Sequence, residues 1–307
     1  MRWRWIRPVA RRLLFAILLV LFVSSTAVLL ARLAPGGIDE DLSTPPDVRA
    51  RIRAEFELDR PLPVFYVHWL GRLARFDLGT SFVYGRPVRE LVLNRAANTA
   101  LLAATALAIA TLVGVPLGVL TASRRRGLIP ALVRGASVVA LSTPPLLTAL
   151  VMVLIASRTG WLPVGGMGTA WHLVIPSIAL AFPVGATLER LQSGATSETL
   201  RQPFILAALA RGLPRPLLLW RHSFRASLAP VLGVYGAVVG TLFSGSFAVE
   251  VVTNWPGLGR LMLDALFARD VHLVAGCAVA GSCFLAVATH ASDVALGWVD
   301  PRLGASP

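Results

Sequence analysis

Few residues of this chain have the types and spacing that chemistry asks for. Ser244-Gly245-Ser246 and His290 suggest a Ser–His pair in apolar sequence, and an activated hydroxyl there would make an intramembrane hydrolase. No G-x-S-x-G pattern surrounds those serines, and small residues in apolar runs also let helices pack closely. His172, His272 and His290 are the only ionisable residues expected inside the apolar runs, which hold no Asp, Glu or Arg as delimited below. An ion-coupled secondary transporter usually keeps such residues in its spans, so nothing supports that class. His272 and His290 would lie ~27 Å apart on one helix, too far to share a metal. Cys277 and Cys283 point to different helix faces and read as small buried hydrophobes. No cofactor or metal site is expected. The chain also has no lysine, so it can form neither a Walker A phosphate cradle nor a Schiff base, and it cannot be a P-loop ATPase by itself.

One further stretch combines polar and small residues in a pattern that suggests binding. Between Gln202 and Tyr235, small Ala207, Ala208, Ala210 and Gly212 alternate with Arg211, Arg215, Arg221 and Arg225. A short helix, a turn at Gly212-Leu213-Pro214 and a second helix would form a rigid projection. Gly212 permits the turn, and Pro214 suits a helix start. Phe204, Ile205 and Leu209 are its expected apolar anchors. Arg221 and Arg225, at i and i+4, suit acidic partners or lipid phosphates.

The elements that carry this stretch are apolar. The 307 residues are 55% hydrophobic and 15% charged, too little charge to cover a soluble domain, and the mean hydropathy is +0.69. Uncharged runs long enough to span recur, which predicts an all-α polytopic membrane protein. Six spans are expected: 13–31, 96–123, 135–157, 171–188, 226–249 and 271–292. A kink is expected at Gly114, Pro116 and Gly118, and proline breaks at Pro144-Pro145, Pro176 and Pro183. Residues 250–270 read as an outer loop. Segment 32–95 reads as a small extracytoplasmic insert with two amphipathic helices, 48–58 and 63–76. The second carries Phe65, Trp69 and Leu73 on one face and touches the interface through Trp69 and Tyr66. The net charge is +13, with arginines clustered at the ends of apolar runs, which favours membrane topology over nucleic-acid binding. Sixteen arginines fall in the segments assigned inside and three in the short outer loops. Both termini are therefore expected on the cytoplasmic side.

The segment AALARGLPRPLLLWRHSFRASLAP, Ala207–Pro230, resembles the EAA loop of binding-protein-dependent ABC importer permeases in its dipeptide/oligopeptide/nickel B-type form. Ala208, Ala210, Arg211, Gly212, Leu213, Arg221, His222, Arg225 and Pro230 fall on the pattern. Arg211 replaces the usual lysine, and Ala226-Ser227 stands where Asn-Ala is common. The segment 248–270 is similar to the family's E-x-x-F-x-x-P-G-L-G-R-L…R-D stretch through Glu250, Pro256, Gly257, Leu258, Gly259, Arg260, Leu261, Ala265, Arg269 and Asp270. Leu58–Leu62 and Asp77-Leu78-Gly79-Thr80-Ser81 are similar to its L-D-x-P-L and D-L-G-x-S motifs, and Val299–Arg302 to its D-P-R end. Asn98-Thr99 and Gly114–Gly118 also fit. Pro35-Gly36-Gly37 departs from P-G-D-P.

The resemblance implies a MetI-like fold and three regions: 1–31, with the N-terminus and first span; the insert 32–95; and a permease core 96–307 with the coupling loop at 193–226. It implies a non-catalytic subunit in a bacterial inner membrane. The implied partners are a second permease, two ATPase subunits, an extracytoplasmic binding protein and lipid. The implied coupling residues are Phe204, Ala207, Ala208, Ala210, Arg211, Gly212, Leu213, Arg221, His222 and Arg225. Peptides are the first substrate class, with nickel or another small solute as the alternative. Asn254–Gly259 is either a turn lining the outer gate or a tight turn with no further role.

Overall fold

The computed structural model describes residues 3–34, 45, 47, 59–123 and 127–299. The expected helix 48–58 and the motif residues Pro35–Gly37 and Asp300–Arg302 lie outside these. The expected all-α class holds. Apart from one isolated bridge, Thr80 to Pro87, the described residues form helices and their connections. These are α1 (Trp3–Leu33), α2 (Leu62–Leu73), α3 (Val88–Ser123), α4 (Leu128–Ser142), α5 (Pro145–Thr159), α6 (Val174–Thr199), α7 (Pro203–Ala210), α8 (Phe224–Leu232), α9 (Tyr235–Val252), α10 (Leu258–Phe267) and α11 (Val271–Val299). Five stretches are long and apolar enough to cross a membrane, or six if α4 and α5 count as one broken span.

The prolines act differently from expectation. The expected third span is two helices meeting at 104°. Thr143, held extended by the proline after it, ends α4 (φ −103°, ψ 116°); Pro144 then caps α5, and Pro145 opens it. The expected fourth span is not broken. Pro176 sits in the first turn of α6, where no intrahelical N–H bond is required, and Pro183 lies inside an uninterrupted helix. Pro116, where only a kink is expected, lies inside α3. The expected fifth span is divided between α8 and α9. The expected outer loop 250–270 shrinks, because Glu250 belongs to α9 and 258–267 is helical. Leu258, Leu261 and Ala265 give α10 one buried face at i, i+3, i+7.

The chain forms two compact units, residues 1–98 with 257–286 and residues 99–256 with 287–307. In the first, Phe65 and Trp69 of α2 are buried with Val28 and Ala275, as the predicted stripe requires. Trp69 is therefore a core residue and not an interfacial anchor, and the Tyr66 hydroxyl hydrogen-bonds the Ser25 hydroxyl at 2.8 Å.

In the second unit α3, α6 and α9 pack around Leu102, Ala106, Leu180, Leu188, Leu242 and Val249. Gly114 and Gly118 serve close approach: a Cβ at Gly114 would lie 2.3 Å from the Gly185 carbonyl oxygen, and one at Gly118 2.5 Å from that of Glu189.

Candidate coupling loop and its buried polar anchor

The expected helix–turn–helix is present. Pro203 opens α7, where its missing N–H costs nothing. The helix ends in a double cap: Gly212 N–H donates to the Leu209 carbonyl (2.9 Å) and Leu213 N–H to the Ala208 carbonyl (3.3 Å). This cap needs a left-handed residue, and Gly212 has φ +76°. Pro214 then caps the next helical turn, Arg215–Leu217, which runs through a π turn at Leu218–Ser223 into α8.

The structure places Ala207, Ala208, Ala210, Arg211, Gly212 and Leu213 on one helix end and its turn. Phe204, Leu206 and Leu209 are exposed (49, 57 and 43%), while Ile205 is 1% exposed. Ile205 is thus a correction: it ties α7 to the protein's own core, and Leu206, overlooked in the sequence, takes its place among the free apolar side chains. Arg221, His222 and Arg225 are exposed, and Leu218 and Ser223 of the π turn are buried.

Beneath the loop lies a polar stripe that sequence reasoning missed. Glu189, Gln192, Ser193 and Thr196 sit at i, i+3, i+4 and i+7, one face of α6. Thr121 of α3 donates to Glu189 Oε1 at 2.7 Å and Ser137 of α4 to Oε2 at 2.8 Å. Thr121 also lies 3.1 Å from the Ser193 hydroxyl. Gln192 Nε2 donates to the hydroxyls of Thr196 (2.8 Å) and of Ser227 on α8 (2.7 Å). Glu189 is 3% exposed, and the expectation of runs free of Asp, Glu and Arg fails here. A run ended at Leu188 hid it, because a glutamate reads as a loop residue until its hydroxyl partners are known. The spacing within E-R-L-Q-S-G-A-T was the available signal.

The second motif divides between the units. In the unit 99–256, Glu250 is fully buried and its Oε1 accepts from the Thr99 hydroxyl at 2.7 Å, a second carboxylate inside an apolar helix. Asn254, in the left-handed region (φ 52°), ends α9, with Trp255 N–H donating to the Glu250 carbonyl at 2.8 Å; Pro256 follows, half-buried. In the other unit, buried Gly257 caps α10 and Gly259 is buried in its first turn, while Arg260 pairs with Asp264 at 4.0 Å. At the far end of α10 Arg269 is left-handed (φ 56°) and exposed, and Asp270 is buried. His172 caps a short turn through Thr169, and buried His272 accepts from Arg72 at 3.0 Å.

The chain is similar to known proteins along nearly its whole length. Residues 114–305 match the family described as binding-protein-dependent transport system inner membrane component. The chain is 30% identical over 311 residues to the oligopeptide transport system permease protein AppB of Bacillus subtilis, covering 96% of this chain and 98% of AppB. It is 30% identical over 300 residues to the oligopeptide transport system permease protein OppB of Salmonella typhimurium, with coverage of 96% and 98%. It is 33% identical over 272 residues to the glutathione transport system permease protein GsiC of Pectobacterium atrosepticum, covering 86% and 88%. The chain belongs to the binding-protein-dependent inner membrane components, the non-catalytic permease subunits of ABC importers, and is a multi-pass membrane protein.

Proposed function

We propose that this chain is one permease subunit of a peptide importer, that it works with a second permease, two ATPase subunits and an extracytoplasmic binding protein, and that α7 is its ATPase-docking element. The observation that carries the reading is the exposed apolar and alanine surface of α7, ended by the Gly212 turn and joined at both ends to helices of the core. A motor that does not cross the membrane moves spans only through such a projection. ATP binding closes the ATPase dimer, draws α7 toward its counterpart in the second permease and turns the spans outward-open. Arg221 and Arg225 supply positive charge beside the contact, with exposed His222 between them. The arginine distribution supports a cytoplasmic side for this loop and both termini and an outer side for the segment 32–95. The peptide assignment follows the oligopeptide and glutathione transport functions of the relatives.

The test is Gly212→Val in the assembled importer. Valine is strained at this positive φ, so ATPase subunits should fail to co-purify while the permease still inserts. Full co-purification and uptake would remove α7 from the coupling role. Mass spectrometry of the ligand held by the co-purified binding protein tests the substrate: a peptide is expected, and a nickel chelate or sugar overturns that part. The chain purified alone should hydrolyse no ATP.

A further inference from the structure

Two stems connect α7 to the core, and the geometry points to Gln192, Thr196 and Ser227 as the positioning residues that lock these stems into one lever. The inference rests on the docking reading above and adds the part that transmits the push. One stem is α6, which ends three residues before α7. The other is the helical segment from Arg215 to α8. If the stems slid past each other, α7 would tilt on its linkers and the displacement would be lost.

The contact between them is directional. Ser227 Oγ donates to the Phe224 carbonyl at 3.0 Å, so in the 3.2 Å pair with Thr196 the threonine hydroxyl is the donor. Gln192 Nε2 donates to both hydroxyls. All three residues are 0–1% exposed, so no water replaces a broken bond and the relative position of α6 and α8 is fixed. The stripe then continues along α6 to Ser193 and Glu189, which bind Thr121 of α3 and Ser137 of α4. Gly118 of α3 packs against the backbone and side chain at Glu189, Gln192 and Ser193, so α3 follows α6. A push on α7 thus reaches three core helices through one polar seam. Ser227, a departure from the family pattern, is the residue that closes it.

The test uses the complete importer in nanodiscs, with Cys277→Ala and Cys283→Ala and with partner subunits lacking cysteine. Spin labels go on exposed Glu198→Cys and Ala226→Cys, one on each stem. The 198–226 distance distribution should be the same in nucleotide-free and vanadate-trapped complexes. Gln192→Leu with Ser227→Ala should broaden it and reduce stimulation of hydrolysis by the binding protein ~10-fold, with the ATPase subunits still bound. A shift on trapping without the seam substitutions, or a sharp distribution with full stimulation in the double variant, overturns the lever. If the double variant does not assemble, Thr196→Val replaces it; broadening supports the lever, and a sharp distribution with full stimulation overturns it. Gly212→Val separates the two readings. It should release the ATPase subunits and leave the distribution sharp, whereas full stimulation in Gly212→Val removes the docking role and leaves the distance result to stand alone.

Discussion

Ser81 donates its hydroxyl proton to Asp270 Oδ2 at 2.6 Å, across 189 residues of chain. Asp270 also accepts Val83 N–H (3.3 Å) on the same oxygen and caps α11 by accepting Leu273 N–H (3.0 Å) on the other. Its own N–H closes the end of α10 on the Ala265 carbonyl at 2.9 Å. The D-L-G-x-S and R-D motifs are therefore two halves of one joint, and nothing in either half alone discloses it.

Asp270→Ala should be the most destabilising single change at that joint. It strips the partner from a buried serine, a backbone N–H and a helix start, at about 1–3 kcal/mol for each buried group left unpaired. Asp270→Asn keeps one acceptor and should cost less, and Ser81→Ala less again, because Asp270 Oδ2 keeps Val83 N–H and only the part-buried Tyr84 N–H loses its acceptor. Thermal unfolding of the detergent-purified chain ranks the three. Equal midpoints for Asp270→Ala and the parent would show that the joint contributes nothing.

Close packing at Gly114 makes a second expectation. A methyl there meets backbone, which cannot swing aside, so Gly114→Ala should destabilise by about 1–3 kcal/mol. Gly194, in the same unit, has nothing within 4 Å of an added Cβ. Gly194→Ala should stabilise α6 by about 0.5–1 kcal/mol through helix propensity. The two alanines must move the unfolding midpoint in opposite directions; a shared direction sinks the steric argument.

Periodicity and turn chemistry made much of this legible in the sequence. The stripe Phe65, Trp69, Leu73 announced α2, and Gly212 announced its turn, because local spacing and a backbone demand leave direct marks. Apolar run length located the spans but misjudged their ends. Proline in a run was ambiguous: Pro144 ends a helix while Pro116 and Pro183 do not, and only neighbouring helices decide which. Glu189 and Glu250 were least legible, since a carboxylate is buried when hydroxyls from distant segments reach it. Thr121 and Ser137 carry no sign of that duty.

The two hydroxyl donors of Glu189 give a test of what its carboxyl does. Glu189→Gln keeps the shape, and either hydroxyl can turn to accept from the new amide, so the loss should stay below about 1 kcal/mol. Glu189→Leu leaves the Ser137 hydroxyl unpaired in an apolar wall, whereas Thr121 retains the Gly118 carbonyl and Ser193. It should lose about 1–3 kcal/mol. Unfolding midpoints and importer assembly read both. If glutamine is as damaging as leucine, the carboxyl acts through its charge and hydrogen bonding is not its main contribution.

Adjacent residues of α7 should fail in different ways. Ile205 is buried, so Ile205→Ala empties core volume and should cost about 2–5 kcal/mol of stability with the docking surface intact. Leu206 is exposed, so Leu206→Asp should leave the unfolding midpoint within about 0.5 kcal/mol of the parent. It places a charge in the apolar centre of the proposed contact, where an unpaired charge is disfavoured, so ATPase subunits should no longer co-purify. Co-purification and thermal unfolding, measured on both variants, give a crossed pattern. A Leu206→Asp permease that still retains its ATPase subunits places the docking surface elsewhere than on Phe204, Leu206 and Leu209.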